Sequence, residues 1–143
     1  MQALSILLLS SLAPLTQAGH QTVGARGTFL CGDKPLVDAE VSLWDRDSWL
    51  NPDDRLSTVK TDKNGHFEIF GTDDEWLSIE PVLKIYHRCN NKGWFNLPGI
   101  CKRKNSFEIP TSYINKGQQV GRWYEMGTMN MEAKQKGEDS KCT

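Results

Sequence analysis

Between Thr61 and Cys89 apolar and polar residues alternate in two runs that follow a tight turn. In the first run Phe67 and Ile69 alternate with His66, Glu68 and Phe70. In the second, Leu83, Ile85, His87 and Cys89 alternate with Lys84, Tyr86 and Arg88. A period of two is the pattern of a half-buried strand. Asp62-Lys63-Asn64-Gly65 precedes the first run, and Asn-Gly is a strong hairpin signal because both residues tolerate positive φ. Leu56 to Thr61 is therefore expected to form the first arm of a hairpin. In the connector from Thr72 to Glu80, Thr72 can cap and Asp73, Asp74 and Glu75 suit a helix N-terminus, so a short helical turn is expected there.

The same alternation extends in both directions. A first strand is predicted from Thr22 to Cys31, with Val23, Ala25, Gly27, Phe29 and Cys31 on one face. Gly32-Asp33-Lys34-Pro35 reads as a turn. The next strand, Val37 to Trp44, points Val37, Ala39, Val41 and Leu43 inward and Glu40, Ser42 and Trp44 outward. Asp45 to Asp54 is polar and broken by Pro52, so it is a loop. Lys102 to Ile109 and Trp123 to Glu132 complete the set, with Phe107, Ile109, Met129 and Met131 on the inner faces; Ala133 to Lys141 is expected to be loose until Cys142 pins it. Seven or eight short strands and at most one short helix predict an all-β, two-sheet antiparallel sandwich forming one domain.

Residues 1–18 stand apart from this pattern. Leu4 to Leu15 is an apolar run followed by Thr16-Gln17-Ala18, small or neutral residues of the kind a signal peptidase reads. The run is shorter than the roughly 20 residues of a membrane-spanning helix. Cleavage after Ala18 is expected, leaving a domain over 19–143, secreted into the extracellular space. The formal net charge of −1 gives no global field to attract nucleic acid.

Several segments, in the same order along nearly all of the exported part, carry a family resemblance. They are Ala25-Arg26-Gly27-Thr28-Phe29-Leu30-Cys31, Lys34-Pro35-Leu36, Val41-Ser42-Leu43-Trp44-Asp45 and Lys60-Thr61-Asp62-Lys63-Asn64-Gly65-His66-Phe67. Pro81-Val82-Leu83-Lys84-Ile85-Tyr86-His87-Arg88-Cys89, Cys101-Lys102-Arg103-Lys104, Ile109-Pro110-Thr111-Ser112-Tyr113-Ile114 and Tyr124-Glu125-Met126-Gly127-Thr128 follow. Together they resemble the secreted transthyretin-like proteins of nematodes. The resemblance implies a prealbumin-like sandwich, a short helix near the Thr72–Glu80 connector, and an extracellular binding role. Fold and function are separable, however, and the ligand does not follow from the fold.

Four cysteines, Cys31, Cys89, Cys101 and Cys142, lie in the exported part, and an even count there reads as two disulfides with three possible connectivities. Cys89 and Cys101 flank a loop containing Asn90, Asn91, Gly93, Pro98 and Gly99, which suggests a local pair and leaves Cys31 with Cys142. The resemblance implies the same arrangement. Without a Cys-x-x-Cys spacing, zinc is not expected.

The remaining chemistry is sparse. His20 is expected to be disordered at the mature terminus, His66 to face solvent, and His87 to be a hydrogen-bonded core histidine; a joint role for His66 and His87 requires adjacent strands. Hydroxyisourate hydrolases, the enzymes this fold resembles, end in Tyr-Arg-Gly-Ser, whereas this sequence ends Glu138-Asp139-Ser140-Lys141-Cys142-Thr143. No catalytic residue and no cofactor are assigned. Asp45, Asp47, Asp53 and Asp54 on one connection, with Asp73, Asp74 and Glu75 on another, offer calcium-type ligands, but solvated loops are commonly acidic and no metal is assigned.

The candidate binding surface consists of outward aromatics, Trp44, Phe70 and Tyr86, and of Lys102 and Lys104 beside Arg88; Trp49, Trp76 and Trp94 lie on loops. The expected role is that of a non-enzymatic extracellular protein binding a small hydrophobic ligand or a cell-surface protein partner. The alternative is an adaptor between an anionic lipid surface, such as exposed phosphatidylserine, and a receptor, a role that members of the resembled family take. A homo-oligomer formed through its sheets is also expected, and a hydrolase is the minor alternative.

Overall fold

The computed structural model describes residues 19–47, 52–91 and 101–142; the expected signal segment, Trp49 and Trp94 lie outside them. Seven strands are six residues or longer: β1 (His20–Cys31), β3 (Glu40–Asp45), β4 (Asp54–Lys60), β5 (His66–Asp74), β6 (Pro81–His87), β7 (Cys101–Glu108) and β9 (Trp123–Asn130). Three short additions complete the two sheets: β2 (Lys34–Pro35), β8 (Asn115–Lys116) and β10 (Asp139–Cys142). In the first sheet β1 is central, pairing with β2, β5 and β8 antiparallel and with β9 in parallel. The second runs β10-β7-β6-β3-β4, antiparallel throughout. This is the expected all-β sandwich, with one parallel neighbour that alternation alone cannot reveal.

Alternation places the core. Val23, Ala25 and Phe29 of β1 and Phe67 and Ile69 of β5 meet Val41 and Leu43 of β3 and Leu83 and Ile85 of β6, all buried. The rings of Phe29 and Phe67 stack at 4.9 Å between centroids, tying β1 to its neighbour within the first sheet. Met131 and Ile79, just outside strands, close the two ends of this interior.

The Asn64-Gly65 turn forms, but it does not join a hairpin. β4 pairs with β3 and β5 with β1, so the turn is a corner that carries the chain from one sheet to the other. Asp62 Oδ1 accepts the Asn64 and His66 amides, which builds the bend from a side chain. Gly65 has φ +76°, and a Cβ there would lie 2.2 Å from Phe29 O, because β1 approaches to donate the Phe29 amide to Gly65 O at 2.9 Å. That approach draws the following strand onto β1 instead of back onto β4.

Four local expectations are corrected. No helix forms in the Thr72–Glu80 connector: β5 continues to Asp74, and the Gln21 side chain then satisfies the extended backbone. Its Nε2 donates to Leu77 O (2.8 Å) and Glu75 O (3.3 Å), and its Oε1 accepts from Ile79 N (3.0 Å). Val37 is half exposed, because Asp38 takes φ 59° and the strand begins only at Glu40. His20 is ordered as the first residue of β1, opposite Asp74. The tail is not loose: β10 adds to the edge of β7, and Glu138 is tied to Arg103 before Cys142 is reached.

The disulfide pairing is also corrected. Cys31 bonds to Cys89, with Cα atoms 5.6 Å apart, and Cys101 bonds to Cys142, with Cα atoms 4.0 Å apart. Closeness in sequence does not decide the partner; the folded positions of the Cβ atoms do. The β6–β7 ladder ends at His87–Arg103, and the chain then turns through Asn90 at φ 48°, which leaves Cys89 beside the end of β1. Cys101 faces Cys142 directly across the β7–β10 ladder. One bridge thus joins the two sheets and the other fastens the tail to an edge. Proteolysis without reduction should release linked peptides containing Cys31 with Cys89 and Cys101 with Cys142; a peptide linking Cys89 to Cys101 would contradict this pairing.

Alternation turns Arg103 inward from Lys102 and Lys104, and its guanidinium is buried. Nε and Nη2 donate to the two Glu138 oxygens at 2.6 and 2.9 Å, and Nη1 donates to Cys89 O and Met131 O at 2.7 Å each. The Arg103 hydrogen bonds hold the Glu138 carboxyl at about 2, well below its usual 4.5. A carboxyl depressed on folding stabilises fully above its unfolded value and loses that contribution as pH falls from about 4.5 to about 2. Glu138→Gln should lower unfolding free energy at pH 7 by about 3 kcal/mol, the scale of a broken buried pair. The gap to the native chain should narrow by pH 2.5, as measured by urea denaturation at both pH values.

Candidate functional site

One end of the sandwich is sealed by the Arg103 network and the cross-sheet disulfide. At the opposite end, the exit of β3, the entry of β4, and the β5–β6 connector come together. β3 delivers Asp45, followed by Arg46 and Asp47; β4 begins at Asp54; β5 ends with Asp73 and Asp74, and Glu75, Trp76 and Leu77 follow.

Trp76 and Leu77 are 89% and 78% exposed, the most open large apolar side chains among the described residues. Their backbone is not free, since Gln21 of β1 holds Glu75 O, Leu77 O and Ile79 N. An apolar knob is therefore presented on a fixed base. On one side of it lies an open groove of about 800 Å³ lined by His20, Gln21, Trp76, Leu77, Ile114 and Lys116 among others. On the other side is a cleft of about 360 Å³ reaching Asp45, Asp47 and Glu75.

The acidic side is electrostatically loaded. Asp45, Asp73 and Glu75 each bring a ligand oxygen within 4.8 Å of the others, and Asp47, Asp54 and Glu75 do the same. Burial, and then the charges of Asp45, Asp47 and Asp73, push the Glu75 carboxyl up to about 7. Burial likewise raises Asp45, partly offset by the Glu80 amide, which donates to its Oδ1 at 2.7 Å.

The structure separates the surface residues expected from the sequence. Phe70 lies on the first sheet, 57% exposed and edge-on to Trp123, whose ring fills the space over Gly24. Trp44, Tyr86, Lys102 and Lys104 lie on the outer face of the second sheet. Tyr86 is buried there, because Lys141 Nζ sits 4.7 Å from its ring; Trp44 is half-buried under Lys84 Nζ at 4.3 Å. The Tyr86 ring is therefore covered, and the Trp44 ring is covered in part. Lys102 stands directly opposite Lys141, and among the described residues neither they nor Lys104 make a salt bridge. Lys102 and Arg88 line a shared cleft of about 420 Å³.

The histidines do not combine. His66 is exposed on β5 of the first sheet, whereas His87 is buried on β6 of the second. Cys89 N donates to His87 Nδ1 (3.1 Å), so Nε2 carries the hydrogen given to Asn105 Oδ1 (2.8 Å). Burial lowers the imidazole pKa and favours the neutral ring. His87 is the expected hydrogen-bonded core histidine.

In the sequence Trp76 is one loop tryptophan among three, and Leu77 does not stand out. The signal for both was the Trp-Leu pair within a run of acids, which amphipathic alternation cannot explain.

Comparisons with known proteins agree with this architecture. A family model described as the transthyretin-like family matches residues 26–110. Transthyretin-like protein 5 of Caenorhabditis elegans is 38% identical over 144 residues, covering 99% of each chain. Transthyretin-like protein 33 of the same organism is 35% identical, covering 94% of each, and transthyretin-like protein 46 is 34% identical, covering 92% of this chain and 72% of its own. A 9R-lipoxygenase from Cyanothece overlaps 78% of this chain and 16% of its own at a TM-score of 0.41 and 27% identity, which is too loose to carry an argument. With the strand order, the core and these matches in agreement, the chain belongs to the transthyretin-like family.

Proposed function

We propose that this protein is an exported, non-enzymatic binding module that holds a small apolar molecule against Trp76, Leu77 and the groove extending to Ile114. The observation carrying this reading is the fixed exposure of two large apolar side chains beside that groove. Covering a side chain of this class contributes about 1.5–3 kcal/mol, so an occupant that covers both gains several kcal/mol from them alone. The base is set before binding by Gln21, which limits the ordering cost. Export is supported by the apolar leader pattern and by two disulfides, which persist in oxidising compartments. The absence of a catalytic role is supported by the occupied, buried His87 and by its separation from His66.

A second reading has its own observation. Lys102 opposite Lys141, with Lys104 and Arg88 nearby, concentrates positive charge that no described acid pairs. Like charges directly opposite on a sheet are unfavourable unless something anionic covers them. This supports an adaptor that docks the second sheet on an anionic phospholipid surface and offers the remainder to a receptor.

The two readings separate experimentally. In the Trp76→Ser/Leu77→Ser double variant, uptake of an apolar fluorescent dye should fall at least tenfold while the melting temperature stays within about 2 °C, because both side chains are already in water. Unchanged dye uptake would remove the groove reading. Phosphatidylserine vesicles should sediment the native chain at 50 mM salt and retain it far less at 200 mM, and Lys102→Glu/Lys104→Glu should lose at least tenfold in vesicle affinity. Vesicle binding indifferent to both changes would remove the lipid reading.

A further inference from the structure

Asp45 is a buried carboxyl without a cation. It is only 1% exposed; Oδ1 accepts the Glu80 amide, and Oδ2 has no partner. Asp73 Oδ2 is likewise buried and unpartnered, while its Oδ1 accepts only the adjacent Asp74 amide. Among the described residues no Lys or Arg forms a salt bridge with Asp45, Asp47, Asp54, Asp73 or Glu75. The nearby cations are engaged elsewhere: Arg46 pairs with Glu80 and Glu108, and Lys84 pairs with Asp53.

An ionised carboxylate buried without a counter-charge is costly, and the second orphan oxygen, on Asp73, belongs to the same cluster. Mere solvated acidity does not account for Asp45, since its free oxygen is out of solvent. What the cluster lacks is positive charge from the chain itself, which leaves a proton or a bound ion to supply it.

Geometry admits a cation. Asp45, Asp73 and Glu75 each offer a carboxylate oxygen within 4.8 Å of the others, and so do Asp47, Asp54 and Glu75, close enough for one ion to touch three of them; Glu75 is common to both groups. We propose that this end of the sandwich is a calcium-type divalent-cation site, with Asp45, Asp73 and Glu75 as its inner ligands and Asp47 and Asp54 sharing the outer side through Glu75. Carboxylates donated from several strand ends suit calcium, which accepts six to eight oxygens in flexible geometry; magnesium demands a near-ideal octahedron and keeps its waters. Bound there, the cation cross-links β3, β5 and the connector, and neutralises the ground beneath Trp76 and Leu77. The site stands on its own ligands and does not rest on the groove or lipid readings.

The test is calcium titration of the intact disulfide-bonded chain by calorimetry at pH 8, with melting temperature followed in EDTA and in 5 mM CaCl2. Binding in the 10⁻⁴–10⁻³ M range of extracellular calcium modules is expected, together with a melting temperature higher in calcium than in EDTA. Asp45→Asn keeps the Oδ1 acceptor for Glu80 and removes the buried charge. It should weaken calcium at least tenfold and should melt no lower than the native chain in EDTA. Glu75→Gln, on the connector, should abolish the calcium response as well, and it serves if the Asp45 variant does not fold. Trp76→Ser/Leu77→Ser should keep the full response even where it loses dye. No heat and no shift up to 10 mM calcium would overturn the proposal. So would a calcium response that survives both carboxylate substitutions, or an equal response to magnesium.

Discussion

The buried pair of Arg103 and Glu138 is the interaction on which the closed end of the molecule depends. Five N–H groups of one guanidinium must be occupied if it is to be buried at all. They find both Glu138 oxygens and the carbonyls of Cys89, Met131, Glu132 and Ala133. Those carbonyls belong to chain that has just left a strand and has no ladder partner. Arg103 therefore satisfies backbone that the sheets cannot, at the place where β6 and β9 stop and β10 begins. Lysine, with three donors and a point charge, cannot span that set. Glu138 extends the network through Asn105 to His87, so the only buried histidine is oriented by the same pair.

The two ends of the sandwich solve the same problem in opposite ways. At the closed end a buried cation meets a buried anion, two disulfides lie nearby, and every polar atom of Arg103 is used. At the open end the buried carboxyl of Asp45 meets other acids, and oxygens are left over. A single domain with one tightly satisfied end can tolerate an unsatisfied one, because stability is not spread evenly through a fold. The result is a rigid frame that positions loops whose own interactions are incomplete.

Much of the frame was legible. Alternation places Val23, Ala25, Phe29, Val41, Leu43, Phe67, Ile69, Leu83 and Ile85 on inner faces, and every one is buried. It also turns Arg103 away from Lys102 and Lys104, although a run of three basic residues reads most simply as one solvated patch. What failed was decided by contacts between distant segments. Gln21 replaces a helix in the Glu75–Ile79 backbone from more than 50 residues away. Phe29 captures the Asn64-Gly65 turn for the other sheet. Cys89 finds Cys31 because the chain leaves the β6–β7 ladder after His87. Tyr86 and Trp44 do alternate outward, yet a lysine from β10 covers the first ring and one from β6 half-covers the second, so facing solvent and being exposed to it are separate properties. None of these contacts leaves a local trace in composition or period. The candidate site was accordingly half visible: its acids could be listed, but their convergence, and the knob beside them, could not.

A net charge of −1 conceals how the charge is sorted. Acids from three chain segments gather at the open end, while Lys102, Lys104 and Lys141 share the outer face of the second sheet. At physiological salt the Debye length is about 8 Å, so these regions do not cancel for a partner that touches only one of them. Near-neutrality removes any long-range field and leaves short-range electrostatics intact at both places. The two patches also differ in kind. The lysines are solvated at their heads, so their attraction for an anion is weak, additive and removable by salt. The buried Asp45 oxygen is shielded from water and salt alike, so whatever neutralises it must enter the cleft and shed water to do so. Salt dependence thus distinguishes a contact made by the basic face from one made at the acidic end, whatever the partner proves to be.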